Sequence, residues 1–290
     1  MQKSVNKIAK DVNFFLKKYL KTQKKSNLLL PMKYGIFPGG KKIRSKILID
    51  IGKMFKINYD ILLRIGAAVE CIHAYSLIHD DLPCMDDDIV RRGKPSMHIK
   101  YGESTALLAG NSLLTLAFEI LSDKQLKLNE KIKIKLIKKL SQCSGHAGVA
   151  GGQFLDLDFE KKNISMNKVI DMQLKKTGQL FSFCCLAPLI IAKKNKKLIQ
   201  KFQSIGSEIG FLFQITDDLI DDRGSLESAG KKTKKDKKKG KATVIRLLGY
   251  KNTIKYAEKL KLNIKKKLKN SGYESNNINQ TLEYFLNRSK

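Results

Sequence analysis

The stretch Ile61–Asp80, ILLRIGAAVECIHAYSLIHD, decides the fold. It contains no Pro and is dominated by Ile, Leu and Ala. A run that is apolar nearly all round predicts a helix at the centre of a large bundle, not on its surface. Reading outward, Glu103–Leu121, Lys168–Ala187, Asn195–Asp221 and Asn252–Lys269 repeat the helical pattern. The gaps are short and carry Gly, Pro or Ser: Pro38-Gly39-Gly40, Arg92–Pro95, Gly145–Gly152 and Arg223–Lys241. No alternating run of β-branched residues lies between hairpin turns, and no repeat is present. The expectation is a single all-α domain over residues 1–290.

Composition narrows the class. The chain has 290 residues, 57 Lys+Arg against 27 Asp+Glu, a formal net charge of +30 and 42% hydrophobic residues. That apolar content is too high for a disordered polymer. Five cysteines, Cys71, Cys84, Cys143, Cys184 and Cys185, show no CxxC spacing and suit a reducing compartment. The first residues, MQKSVNKIAKDVNFFLKK, lack the apolar core of a signal peptide. The longest weakly polar stretch, Leu180–Ala192, falls short of the roughly 20 residues that span a bilayer. A cytoplasmic protein without a transmembrane segment is expected. Most of the lysine is scattered, so we read it as a solvated surface rather than a nucleic-acid site. The exception is Lys231–Lys241, with eight lysines, either a disordered loop or one that closes over an anion.

Acidic residues are scarce, yet nine of the 27 fall in two clusters at the ends of apolar helices. One is Asp80-Asp81 with Asp86-Asp87-Asp88; the other is Asp217-Asp218 with Asp221-Asp222. Asp217 and Asp221 are four apart and share a helix face. Two carboxylates about 4 Å apart repel by roughly 4 kcal/mol at an effective dielectric of 20. A cation between them removes that cost, and carboxylates at a helix C-terminus call for one in any case. Oxygen-only donors favour Mg²⁺. Asp80 and Asp86 are six apart, and Pro83 interrupts the helix, so the chain must loop to bring both round.

Mg²⁺ with few protein ligands completes its shell with water and phosphates. Cations to match follow in the chain: Lys41 and Arg44 in GGKKIR, Arg91-Arg92-Gly93, Lys176-Thr177-Gly178 at the start of an apolar helical stretch, and Lys231 and Lys241. Arg binds phosphate bidentately and Lys binds it as a point charge. Together these describe a site for two diphosphates.

The order GGKKIR, ECIHAYSLIHDDLPCMDDDIVRRGKP, GGQFLDLD, KTG, FQITDDLIDD resembles the trans-isoprenyl diphosphate synthases, from about Tyr34 to Thr243. Within them it looks most like the bacterial farnesyl diphosphate synthases and the related plant geranylgeranyl diphosphate synthases. The resemblance implies the isoprenoid synthase fold, a helical bundle around a central cavity, and a homodimer. It implies three Mg²⁺ ions, with Asp80, Asp86, Asp217 and Asp221 as ligands. Arg91, Lys176, Lys231 and Lys241 would hold the allylic diphosphate. Lys41, Arg44, His73 and Arg92 would hold isopentenyl diphosphate, and Thr177 and Gln214 would face the allylic cation. His73, in an apolar helix, can equally be a hydrogen-bonded core residue. Gln153 and Asp156 stand outside this set as structural or supporting residues.

Chain length turns on the helix before Asp80, where Tyr75 and Ser76 face the direction of growth. In the family an aromatic residue there accompanies a C15 floor, so farnesyl diphosphate is expected, with a C20 product as the alternative. Several positions depart from the pattern: Ser45 for a Pro, Asn111 for an Asp, a missing second Gly near Lys234, and Val244 for an aromatic. A terpene cyclase would lack GGKKIR and the second DDxxD. A non-catalytic subunit would lose an aspartate cluster. A specific nucleic-acid binder would not place nine aspartates against a phosphate backbone.

Overall fold

The computed structural model describes residues 1–37, 39–227 and 241–287. The chain forms two compact units. One comprises Gln2–Lys139 with Ile190–Ala192; the other comprises Met1, Leu140–Leu189 and Lys193–Lys290.

The first unit is built on α4 (Tyr59–Asp80). Around it pack α1 (Gln2–Thr22), α2 (Leu29–Ile36), α3 (Ile43–Met54) and α6 (Glu103–Ser122). Leu62, Ile65, Ala68, Val69, Ile72 and Ile78 of α4 are buried, and they point to every side of the helix. The central helix expected from Ile61–Asp80 is therefore present, two residues longer at its start, where Asn58 caps it by accepting from the Asp60 amide at 2.9 Å. Helix α1 shows the opposite pattern. Only Val5, Ile8, Val12, Leu16 and Leu20 are buried, at the spacing of one apolar face, while lysines cover the other.

Between α4 and α6 lie a hairpin, β1 (Val90–Arg91) and β2 (Lys94–Pro95), and the short α5 (Met97–Tyr101). Arg92 and Gly93 both have positive φ, 53° and 74°, as a two-residue hairpin loop requires. The all-α expectation holds, with this strand pair a minor addition. Strands of two residues are too short to show alternation.

The second unit is built on α11 (Lys196–Glu227). The stretch expected as one helix over Lys168–Ala187 is divided into α9 (Met166–Gln173), a π-helical turn at Leu174–Gly178, and α10 (Gln179–Ile191). Lys176-Thr177-Gly178 thus lies in the π-helical turn that leads directly into the apolar α10. The unit also contains α8 (Val149–Asp158), α12 (Val244–Leu248), α13 (Tyr250–Lys269) and α14 (Asn276–Asn287). Helix α7 (Glu130–Ser144) is divided between the units. Phe213 of α11 meets Phe181 of α10 at 5.3 Å and Phe285 of α14 at 5.1 Å, and these rings anchor both helices to α11. Cys184 and Cys185 are buried, and none of the five cysteines is in a disulfide.

Three helical stretches, Tyr59–Asp80, Glu103–Ser122 and Met166–Ile191, are long and apolar enough to cross a membrane by length and composition. This corrects the estimate that limited apolar length to Leu180–Ala192, because a span-length window tolerates one or two charges. Burial within the fold covers 61%, 44% and 67% of their apolar windows. Helix α6 is the least covered, and Leu107 and Leu108 are exposed on it.

Candidate active site

The first carboxylate set forms where α4 ends. The Asp81 amide still donates to Leu77 O, but Pro83 prevents another turn. The chain curls instead: Met85 N and Asp87 N both donate to Leu82 O, and Asp86 N donates to Asp80 O at 2.8 Å. The backbones of Asp80 and Asp86, six residues apart, are joined by that bond. Asp86 is buried and Asp80 half-buried.

Arg91 is held by a carboxylate that the sequence does not single out. Its Nε donates to both oxygens of Asp81, at 2.9 and 3.2 Å, and its Nη2 also meets Asp81 Oδ1 and, at 3.2 Å, Asp88 Oδ2. Asp81 is almost fully buried, so the guanidinium sits in a fixed fork at the base of the hairpin.

Arg92, the next residue, turns to GGKKIR. Its Nη1 lies 3.4 Å from Gly39 O, and a Cβ added at Gly40 would come within 2.7 Å of the same nitrogen. A side chain at Gly40 would displace the guanidinium. Lys41 is exposed. Lys42 is buried, donates to Ile36 O at 3.0 Å and lies 3.9 Å from Glu70. Burial lowers the Lys42 pKa, opposed by the Glu70 charge. Ser45 fills the place of the missing Pro with a purpose: its hydroxyl lies 3.0 Å from both Gly66 O and Glu70 Oε1, and its amide donates to Glu70 at 3.2 Å.

His73 is half-buried on α4. Burial pushes its imidazole well below the ordinary histidine value, and Arg44, Arg92, Lys42 and Arg91 push it further down. Arg44, His73 and Arg92 therefore share one electropositive region, with His73 neutral. Tyr75 stacks edge-on against His79, and Ser76 Oγ donates to His73 O at 3.0 Å. The Ser76 hydroxyl is thus turned onto its own helix.

The second set lies on α11. Asp218 is locked: Gln214 Nε2 donates to its Oδ1 at 2.8 Å and Gln173 Nε2 to its Oδ2 at 3.2 Å. It is buried, whereas Asp217 is half-buried and Asp221 exposed, one helical turn on. Thr177 Oγ1 donates to Gln214 Oε1 at 2.8 Å, tying the π-turn to this network. Lys176 Nζ donates to Asp156 Oδ2 at 2.6 Å, and Lys241 Nζ lies 3.8 Å from the same oxygen. Neither amide atom of Gln153 has a hydrogen-bond partner among the described residues, although Gln153 is buried. The pattern GGQFLDLD was the sequence signal for both Gln153 and Asp156. Lys231 and most of the lysine-rich loop lie outside the described residues.

Among the described residues, no three His, Cys, Asp or Glu side chains converge as a closed metal site. The candidate donors Asp80, Asp86, Asp217 and Asp221 are all carboxylates. That set fits a hard divalent cation whose remaining ligands are water and phosphate.

The chain is 39% identical over 264 residues to the farnesyl diphosphate synthase of Escherichia coli, covering 89% of this chain and 88% of that protein. A crystal structure of an FPP/GFPP synthase from Zymomonas mobilis superposes with a TM-score of 0.86 at 32% identity, covering 97% of both chains. A geranyltransferase from Helicobacter pylori, solved with magnesium and isoprenyl diphosphate, superposes with a TM-score of 0.81 at 31% identity, covering 98% of this chain and 96% of that one. The fold is that of the isoprenoid synthases. Residues 25–282 match the polyprenyl synthetase family, and the chain belongs to that family.

Proposed function

We propose that the chain is a short-chain prenyltransferase that makes (2E,6E)-farnesyl diphosphate. It joins isopentenyl diphosphate head-to-tail to dimethylallyl or geranyl diphosphate. The observation that carries this is the arrangement on α11. Asp218 is locked by two glutamines, while Asp217 and Asp221 present carboxylates one turn apart. Carboxylate oxygens one turn apart on one helix suit a hard cation such as Mg²⁺.

Asp80 and Asp86, and Asp217 with Asp221, are the residues that would hold Mg²⁺, three ions in all. Bound there, Mg²⁺ supplies Lewis-acid neutralisation of a departing diphosphate. Arg91, Lys176, Lys231 and Lys241 bind the allylic diphosphate. Their charges favour the state in which the allylic C1–O bond has broken and its electrons have gone to the diphosphate. Arg91 needs no reorientation, because Asp81 holds it. Thr177 and Gln214, already bonded to each other, turn oxygen dipoles toward the allylic cation.

Lys41, Arg44 and Arg92 bind isopentenyl diphosphate. His73, neutral, adds one N–H donor without adding repulsion to its arginine neighbours. The isopentenyl double bond attacks C1 of the cation. The released diphosphate takes the proton from the isopentenyl carbon, so no side chain acts as general base. Water must be kept out, since it would trap the cation.

We also infer a single functional domain over residues 1–290, supported by the unbroken family match. A homodimer is supported by the exposed Leu107 and Leu108 of α6. A cytoplasmic location without membrane insertion is supported by five cysteines outside any disulfide and by the partial burial of the apolar helices within the fold. No specific nucleic-acid partner is proposed.

The test is incubation of purified protein with Mg²⁺, labelled isopentenyl diphosphate and either allylic primer, with chain length resolved by chromatography. A C15 product that vanishes with chelator is expected. Absence of condensation with every primer would overturn the proposal.

A further inference from the structure

We infer that Asp156 is a positioning residue for the allylic diphosphate site, through the two lysines that it gathers. This rests on the assignment of Lys176 and Lys241 to that diphosphate. Asp156 is 5% exposed, and Lys176 in the π-turn and Lys241 in the segment leading into α12, both further along the chain, approach its Oδ2 at 2.6 and 3.8 Å.

The local fold makes the carboxylate rigid relative to Lys176. Gly152 and Asp156 are one turn apart on α8, so they share a face. At Gly152 the approach to the π-turn is so close that a Cβ would lie 2.1 Å from the Lys176 backbone nitrogen. The same face thus fixes Lys176 twice, by its main chain beside Gly152 and by its ammonium at Asp156.

The physical need is clear. Two lysine ammoniums drawn to one small region repel each other, and each long side chain loses rotamer freedom when held. A buried carboxylate offsets the repulsion and meets the ordering cost before substrate arrives. An ammonium carries three donors, so a bond to Asp156 does not exclude one to phosphate. Asp156 acts through the lysines and touches no reacting atom.

The experiment compares Asp156→Ala, Asp156→Asn and Asp156→Glu with Lys176→Ala and Lys241→Ala. The measured quantities are the KM for geranyl diphosphate, the KM for isopentenyl diphosphate, inhibition by inorganic pyrophosphate, and the thermal midpoint. For Asp156→Ala the expectation is about a thirtyfold rise in allylic KM and in the pyrophosphate inhibition constant. The isopentenyl KM should stay within about twofold, and Asp156→Glu should recover part of the loss. The inference is overturned if allylic KM and pyrophosphate inhibition are unchanged. It is also overturned if both KM values rise together with a fall in midpoint, which is the mark of a purely structural role. If Lys176→Ala and Lys241→Ala leave allylic KM unchanged, the underlying lysine assignment fails instead.

Discussion

The rings of Tyr75 and His79 stand at 89° to each other, with centroids 5.3 Å apart, one turn apart on α4. His79 Nε2 in turn lies 3.1 Å from Leu107 O on α6. Tyr75 is thus braced rather than free to swing. Burial, with the Asp80 charge, raises its phenol pKa, so the group stays neutral at physiological pH. If the braced ring is the floor of the growing chain, Tyr75→Ala must lengthen the product. Chromatography of the variant's products is expected to show C20 or longer. A longest product that remains C15 would remove Tyr75 from that role.

The α11 carboxylates should separate by function. Asp218→Asn disturbs a residue that two glutamines hold, and is expected to lower kcat by about 10–100-fold. Asp217→Asn should cost more and should move the Mg²⁺ requirement to higher concentration. The check is a Mg²⁺ titration of the initial rate for both variants. Equal Mg²⁺ dependence would mean that Asp217 is not a ligand.

Asp81 is buried beneath Arg91, whose side chain is about one-third exposed. Asp81→Asn keeps the shape and removes the charge that fixes the guanidinium. Truncating one partner of such a pair costs about 2 kcal/mol at the low end, the end that partial exposure selects. We expect kcat/KM for the allylic substrate to fall about thirtyfold, measured at saturating isopentenyl diphosphate. An unchanged value would show that Arg91 needs no anchor.

His73 sets a pH dependence of stability. Its folded pKa is depressed, mainly by burial, while in the unfolded chain it titrates near 6.5. Below about pH 6.5 the unfolded chain binds the extra proton, so stability falls as pH falls. The loss approaches about 1.4 kcal/mol per pH unit from this group until the depressed folded pKa is reached. Denaturant melts at pH 7 and pH 5.5 should show a smaller difference for His73→Gln than for the parent. Equal differences would mean that His73 is not held neutral.

How much of this was legible differs from residue to residue. Helix α4 could be read because twenty apolar-rich residues without Pro admit no other element. Asp217 and Asp221 could be paired because four residues is one helical turn. The π-turn at Leu174–Gly178 could not be read, since one extra residue in a turn leaves no trace in hydrophobic pattern. The hairpin escaped notice because its strands are two residues long, although Arg92-Gly93 is the kind of dipeptide that permits its turn. The partners of the cations were also hidden. Asp81 beside Asp80, and Asp156 in GGQFLDLD, read as ordinary members of acidic stretches.

The fold class, the family resemblance and the two aspartate motifs are written in the amino-acid order, because helical periodicity and motif spacing are local. The partners that hold individual carboxylates emerge only once the chain is folded. Asp218 is taken by Gln173 and Gln214, Asp81 by Arg91, and Asp156 by Lys176 and Lys241. The physical reason is that a carboxylate's role depends on the donors folded against it. Most of those donors come from other elements, at separations that no local pattern encodes.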